Sequence, residues 1–239
     1  MIDFYCYTSP NARKVLMMLE ETGLHYQVQW IDISAGDQHR EEYAQINPNR
    51  KIPALVDHDG PGGAPIVLFE SGAILFYLAE KTGRLVPSDQ ARRWSVIKWL
   101  FWQTSSQGPL LGQAAHFVSH APNRGIDAPY AVDRYRKEAR RLYGVLESQL
   151  RDRDYIDDEF SIADIACFPW VRVAKGQGVS LEDFPGVKRW CDLIAERPSA
   201  QKKLDRDEET KRAARTTYYA DETWTQLFGG ASVSCQYTA

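Results

Sequence analysis

The chain has 239 residues, 44% of them hydrophobic and 26% charged, with 29 basic and 32 acidic side chains and a net charge of −3. At about 150 residues per domain this is one large domain or two small ones, long enough to bury a core without disulfides or metals as staples. The near-neutral balance excludes the basic footprint of a nucleic-acid binder, and no uncharged apolar run approaches the roughly 18 residues a membrane helix needs. No basic segment precedes an apolar run at the start, so a signal peptide is not expected. The four cysteines, Cys6, Cys167, Cys191 and Cys235, form no CxxC pair. That usage suits small buried hydrophobes in a reducing cytoplasm.

In chain order, Ile2 to Tyr7 reads as a short strand. Residues 11–22 place Val15, Leu16, Met18 and Leu19 at helical spacing, with Gly23 as a C-terminal stop. Tyr26 to Ile33 alternates as a strand does, and 37–45 reads as a short charged helix. Ile52 to Asp57 and Ile66 to Glu70 are two more strands, joined by a Gly- and Pro-rich hairpin loop, His58 to Pro65. Residues 71–82 form a helix closed by Gly83. The pattern βαβα then ββα predicts a four-stranded mixed sheet, its first two strands parallel and its last two an antiparallel hairpin.

Residues 84–90 read as a linker, after which strand signals stop. Helices are predicted over 91–118, 130–152, 161–175, 185–196 and 199–214, giving an all-helical domain over 91–214. Ser161-Ile-Ala-Asp164 is a strong helix start: Ser161 can cap the N–H of residue 164 while Asp164 reaches back. Residues 215–239 show no clear periodicity and read as an extension. Residues 1–83 carry 6 basic and 11 acidic groups, whereas the remainder carries 23 and 21.

No GxGxxG after a strand, Walker loop, HExxH or GxSxG is present. His116 and His120 stand at i, i+4, but with no carboxylate or cysteine at ligand spacing they read as a pocket wall or solvated face, not a metal site. The informative segment is Tyr7-Thr8-Ser9-Pro10-Asn11, between the first strand and the first helix. Unpaired N–H groups and the positive end of the dipole stabilise an anion there, and small hydroxyl and amide side chains can donate to it. Alone, this segment reads more readily as an N-cap and a turn proline. Lys51-Ile52-Pro53 offers a candidate cis bond and leaves the Ile52 backbone free to pair with an extended ligand. At the next strand-to-helix turn, Ser71 can bind a carboxylate and Glu70 an ammonium. Together these features suit a peptide-like ligand with a thiolate at one end and an amino-acid zwitterion at the other.

In this order and spacing the markers resemble the glutathione transferases, over essentially residues 1–210. Met-Ile-Asp-Phe-Tyr, Asn-Pro-Asn-Arg-Lys-Ile-Pro-Ala, Trp-Leu-Phe-Trp-Gln and Ser-Ile-Ala-Asp-Ile-Ala-Cys are closest to the nu-class bacterial enzymes, which reduce disulfides with glutathione. The resemblance implies an α/β thioredoxin-like domain over 1–83 and an all-α C-terminal domain. It also implies a cytoplasmic homodimer with glutathione as thiol substrate and a disulfide or electrophile as second substrate. Ser9-Pro10-Asn11 stands where that class has Thr-Pro-Asn facing the sulfur, and Thr8 supplies a second hydroxyl. Gln38, Ile52, Glu70 and Ser71, with Lys51 and Pro53 alongside Ile52, match glutathione-holding positions, and Arg134 resembles an arginine that reaches across the dimer. Tyr7 is the alternative sulfur activator. Tyr7, Trp102, His116 and Phe117 are the expected walls of the second-substrate pocket. Conjugation to electrophiles, and a non-catalytic regulator of the same fold, remain the alternative functions.

Overall fold

Four strands and a succession of helices fill residues 1–204, 206 and 220–229, the part of the chain that the structure, a computed structural model, describes. The strands are β1 (Ile2–Cys6), β2 (Tyr26–Trp30), β3 (Ala54–Asp57) and β4 (Ile66–Phe69). They form one sheet in the order β2-β1-β3-β4. β1 and β2 are parallel, and the other two pairings are antiparallel, so the mixed sheet is the one the sequence predicts. Alternation along β1 buries Ile2, Phe4 and Cys6 and leaves Asp3 and Tyr5 half-exposed.

The helices are α1 (Pro10–Thr22), α2 (Glu41–Ile46), α3 (Ser71–Thr82), α4 (Gln90–Trp102), α5 (Gly108–Ala115), α6 (Ala121–Asn123), α7 (Pro129–Leu150), α8 (Ile162–Val171), α9 (Pro185–Ala195), α10 (Pro198–Gln201) and α11 (Asp221–Phe228). Gly83 closes α3 at φ +64, a left-handed cap that glycine adopts without steric cost.

The chain divides into two compact units. One contains Met1–Ser9, Tyr26–Phe69 and the described residues from Lys203 onward; the other contains Pro10–His25 and Glu70–Lys202. The first holds the sheet, α2 and α11. In the second, α1 packs against α3, α8 and α10. Its centre is α8, whose residues from Ile162 to Pro169 are all buried. Asp164 sits there at 0% exposure and accepts hydrogen bonds from Ile156 N (2.9 Å), Ser161 N (3.0 Å), Ser161 Oγ (3.2 Å) and Trp190 Nε1 (2.8 Å). Burial pushes its carboxyl up to about 6, against the downward pull of those donors. The Ser161 capping box forms, with Ser161 Oγ accepting from Ala163 N.

Three expectations are corrected. The helix predicted over 91–118 is interrupted by π-helical segments at Gln103–Gln107 and His116–His120. Pro109 and Pro122 follow these segments by two residues and lack an N–H, so an i→i−4 bond is missing and the turn widens. The helix predicted over 199–214 stops at Gln201, where Lys202 turns extended and its carbonyl accepts from the Arg13 guanidinium. Residues 205 and 207–214 lie outside the described part. The extension read as aperiodic contains α11, two turns with Asp221 and Glu222 at its start and Trp224 against Phe228 at 4.5 Å. A helix so short gives too few repeats for a period to show.

Candidate functional site

The expected site residues are described unit by unit. In the helical unit, α1 begins at Pro10, so Asn11 stands in its first turn, half-buried. Trp170, on α8, donates from Nε1 to Asn11 Oδ1 at 3.0 Å. An indole N–H only donates, so the amide oxygen must face Trp170 and the NH₂ must face away from it. The Trp170 carbonyl accepts from Gln177 Nε2 at 2.9 Å, and Gln177 Oε1 accepts from the buried Tyr143 hydroxyl at 2.9 Å. Trp170 is thus held from its backbone side as well.

Glu70 precedes α3 with φ +70 and ψ 112, a sparsely populated conformation for a non-glycine residue. Among the described residues no side chain caps α3, and no acidic residue stands in its first turn. Its first N–H groups therefore present the positive end of the helix. Gly72 lets Thr104 approach closely, for a Cβ at residue 72 would lie 2.7 Å from Thr104 Cγ2. Ser71 is 7% exposed, and its Oγ accepts from Lys14 Nζ at 3.2 Å. Lys14 also donates to Gln103 Oε1 at 2.5 Å. Sequence reasoning missed Lys14. Its charge marks it as a surface residue, yet it lies between the buried Ala12 and Val15 on an otherwise apolar face.

Trp102, His116 and Phe117 share one helical run, but fourteen residues at about 1.5 Å rise set Trp102 about 20 Å from His116. Trp102 packs edge-on against Trp99 at 5.1 Å, whereas Phe117 stacks on Tyr135 at 5.4 Å. Burial lowers the pKa of His116, and burial with the neighbouring His116 lowers that of His120. No group of three or more metal-type side chains occurs among the described residues. Arg134 is exposed on α7.

In the sheet unit, Thr8 and Ser9 follow β1 and are half-buried. Tyr7 is 8% exposed, its ring 5.1 Å from Trp30 and its hydroxyl 3.4 Å from Ser34 Oγ. Burial raises its pKa, which makes a phenolate harder to form. Gln38 is 5% exposed, and its Nε2 donates to Ile33 O at 3.4 Å and to Gln226 O of α11 at 3.3 Å. Its Oε1 is buried without a hydrogen-bond partner among the described residues. The Ile52–Pro53 bond is cis, as expected. The Lys51 carbonyl just before it accepts from Tyr43 Oη and Asn47 Nδ2, each at 2.6 Å, which pins this segment.

Cys6 and Cys167 are fully buried and Cys191 is 7% exposed. Cys235 lies outside the described residues. Burial raises the pKa of Cys167 and pushes Cys191 up to about 11.

The N-terminal domain model of the glutathione S-transferases matches residues 8–81, and their C-terminal domain model matches residues 129–193. The chain is 45% identical over 206 residues to the disulfide-bond oxidoreductase YfcG of Escherichia coli, covering 85% of this chain and 94% of that one. It is 33% identical over 237 residues to the transcriptional regulator URE2 of Saccharomyces cerevisiae, covering 82% and 65% of the two. A glutathione transferase from Pseudomonas putida, solved with one glutathione disulfide bound per subunit, superposes with a TM-score of 0.81 at 41% identity. The match covers 84% of this chain and 89% of that one. The chain belongs to the glutathione S-transferase family.

Proposed function

We propose that this protein is a nu-type glutathione transferase, a cytoplasmic homodimer that uses the thiolate of bound glutathione to reduce disulfides. The observation that carries this reading is the Asn11 amide, whose oxygen is engaged by Trp170 and whose NH₂ is thereby left to donate to a ligand sulfur. The described cysteines are all buried, so the reactive sulfur is assigned to the ligand. The name of the Escherichia coli relative and the glutathione disulfide in the Pseudomonas putida structure favour this reading.

In this reading the hydroxyl of Ser9 or Thr8 and the Asn11 amide donate to the sulfur. The Ile52 backbone, flanked by Lys51 and Pro53, pairs with the peptide together with Gln38. Glu70 takes the ammonium, Ser71 takes the carboxylate, and Arg134 reaches the ligand of a second copy. Lowering a thiol pKa from about 8.5 to about 7 requires roughly 2 kcal/mol. Two hydrogen bonds at about 1 kcal/mol each, plus about 0.5 kcal/mol from a helix N-terminus, supply it without a general base. The thiolate attacks one sulfur of the disulfide, a mixed disulfide forms, and the other sulfur leaves as a thiolate. A second glutathione attacks the mixed disulfide, giving glutathione disulfide and the second reduced thiol. The apolar groove of about 370 Å³ beside α3 and α4, lined by Phe76, Ile97, Leu100 and Phe101, supports the dimer, since Phe101 is 66% exposed.

The test is a paired assay with glutathione: reduction of hydroxyethyl disulfide against conjugation of chlorodinitrobenzene. Reduction should exceed conjugation by at least tenfold in kcat/KM. Conjugation far above reduction would make the protein a detoxifying transferase instead. Tight glutathione binding with no turnover on either substrate would place it with the regulator-like relatives.

A further inference from the structure

Lys14 is a fully buried lysine without an ion-pair partner among the described residues. Its two hydrogen-bond acceptors, Ser71 Oγ and Gln103 Oε1, are neutral. An uncompensated buried charge is costly, and such groups cluster where they serve a site. Ser71 is also the first residue of α3, so the Lys14 ammonium and the positive end of that helix lie on the same hydroxyl. Beside them Gln103 Nε2 is buried with no hydrogen-bond partner among the described residues. Two positive centres and a spare donor converge here, and Glu70 is the acidic group of the described residues that acts on Lys14.

We propose that Lys14 is a positioning residue for the ligand carboxylate: it fixes Ser71 as a donor, and it takes up a proton when that carboxylate binds. The inference rests on the glutathione reading above. An ammonium can only donate, so Ser71 Oγ must accept from Lys14 and turn its own hydrogen toward the ligand. Burial drags the Lys14 ammonium down to about 7, while Cys167 and Glu70 pull it upward. Within the helical unit these are the titratable groups facing it: Glu70 at the start of α3 and Cys167 on α8, whose thiol burial keeps neutral. The π-helical segment contributes only Gln103, and α10 has no titratable group. A carboxylate arriving at Ser71 raises the Lys14 pKa, so near neutral pH binding draws in a proton.

The experiment is calorimetric titration of the full chain with S-methylglutathione, which keeps both carboxylates but has no ionising thiol. It is run at pH 7.5 in phosphate and in Tris, whose ionisation heats differ. The wild type should take up roughly half a proton per ligand bound. Lys14→Met should abolish this uptake and weaken binding at least fivefold. Ser71→Ala, which keeps Lys14, should weaken binding yet retain the uptake. If Lys14→Met does not fold, the wild-type affinity profile decides: it should fall severalfold from pH 6.5 to 8.5, and a flat profile overturns the proposal. Equal uptake in wild type and Lys14→Met overturns this inference alone. Failure of the wild type to bind the ligand overturns the glutathione reading and this inference with it.

Discussion

Trp170 Nε1 and Asn11 Oδ1, 159 residues apart in sequence, lie 3.0 Å from each other. The bond decides which face of the Asn11 amide is a donor. Trp170→Phe keeps most of the ring volume and removes the N–H, so the amide is free to rotate and present its oxygen to the proposed ligand sulfur. One lost oriented hydrogen bond is worth about 1.4 kcal/mol, or about tenfold. We expect glutathione-dependent disulfide reduction by Trp170→Phe to fall about tenfold in kcat/KM, and Asn11→Ala to fall at least as far. The double variant should be no worse than Asn11→Ala, because both changes remove the same contact. Additive losses in steady-state assays of the three variants would separate Trp170 from Asn11.

Gln38 presents the reverse polarity. Its NH₂ is spent on the Ile33 and Gln226 carbonyls, while its Oε1 is a buried acceptor with no hydrogen-bond partner among the described residues. A peptide ligand carries N–H donors. Gln38→Ala should raise the glutathione KM about fivefold, consistent with loss of one hydrogen bond of about 1 kcal/mol. An unchanged KM would remove Gln38 from the binding residues.

Much of this was legible in the sequence because the signals are local. The sheet follows from β-prone segments punctuated by Gly- and Pro-rich turns, and α3 runs from Ser71 to Thr82 as its apolar spacing and Gly83 predict. The Ser161–Asp164 box was visible because a cap and its partner lie three residues apart. Lys14 and Trp170 were not legible. Each acts through partners 57 to 159 residues away, and a lysine or tryptophan on an apolar helix face gives no sign of which distant group it meets. The π-helical turns escaped for a related reason: the prolines that cause them read equally well as helix ends.

Asp164 holds together the segment before α8, α8 itself and α9. Asp164→Ala would leave the Ile156 and Ser161 amides and the Trp190 indole N–H buried without acceptors. Each orphaned donor costs about 1–3 kcal/mol, so we expect a loss of about 3 kcal/mol or more by urea denaturation. Asp164→Asn keeps one acceptor oxygen and should recover part of that loss. A variant within about 1 kcal/mol of wild type would show that these donors find other partners.

Lys14 also sets a pH dependence in the absence of ligand. Its pKa in the folded chain is about 7, below the ordinary 10.5. Between those values the unfolded chain binds more protons at this residue than the folded chain, so stability rises with pH. The contribution is fully present above pH 10.5 and is lost as pH falls to about 7. From pH 7 to 8.5 the unliganded wild type should therefore gain melting temperature relative to Lys14→Met, whose buried apolar side chain has nothing to titrate. Saturating S-methylglutathione should reduce or reverse that gain, because a bound carboxylate holds the ammonium protonated. Parallel melting curves for the two proteins across this window would mean that Lys14 keeps an ordinary pKa in its buried setting.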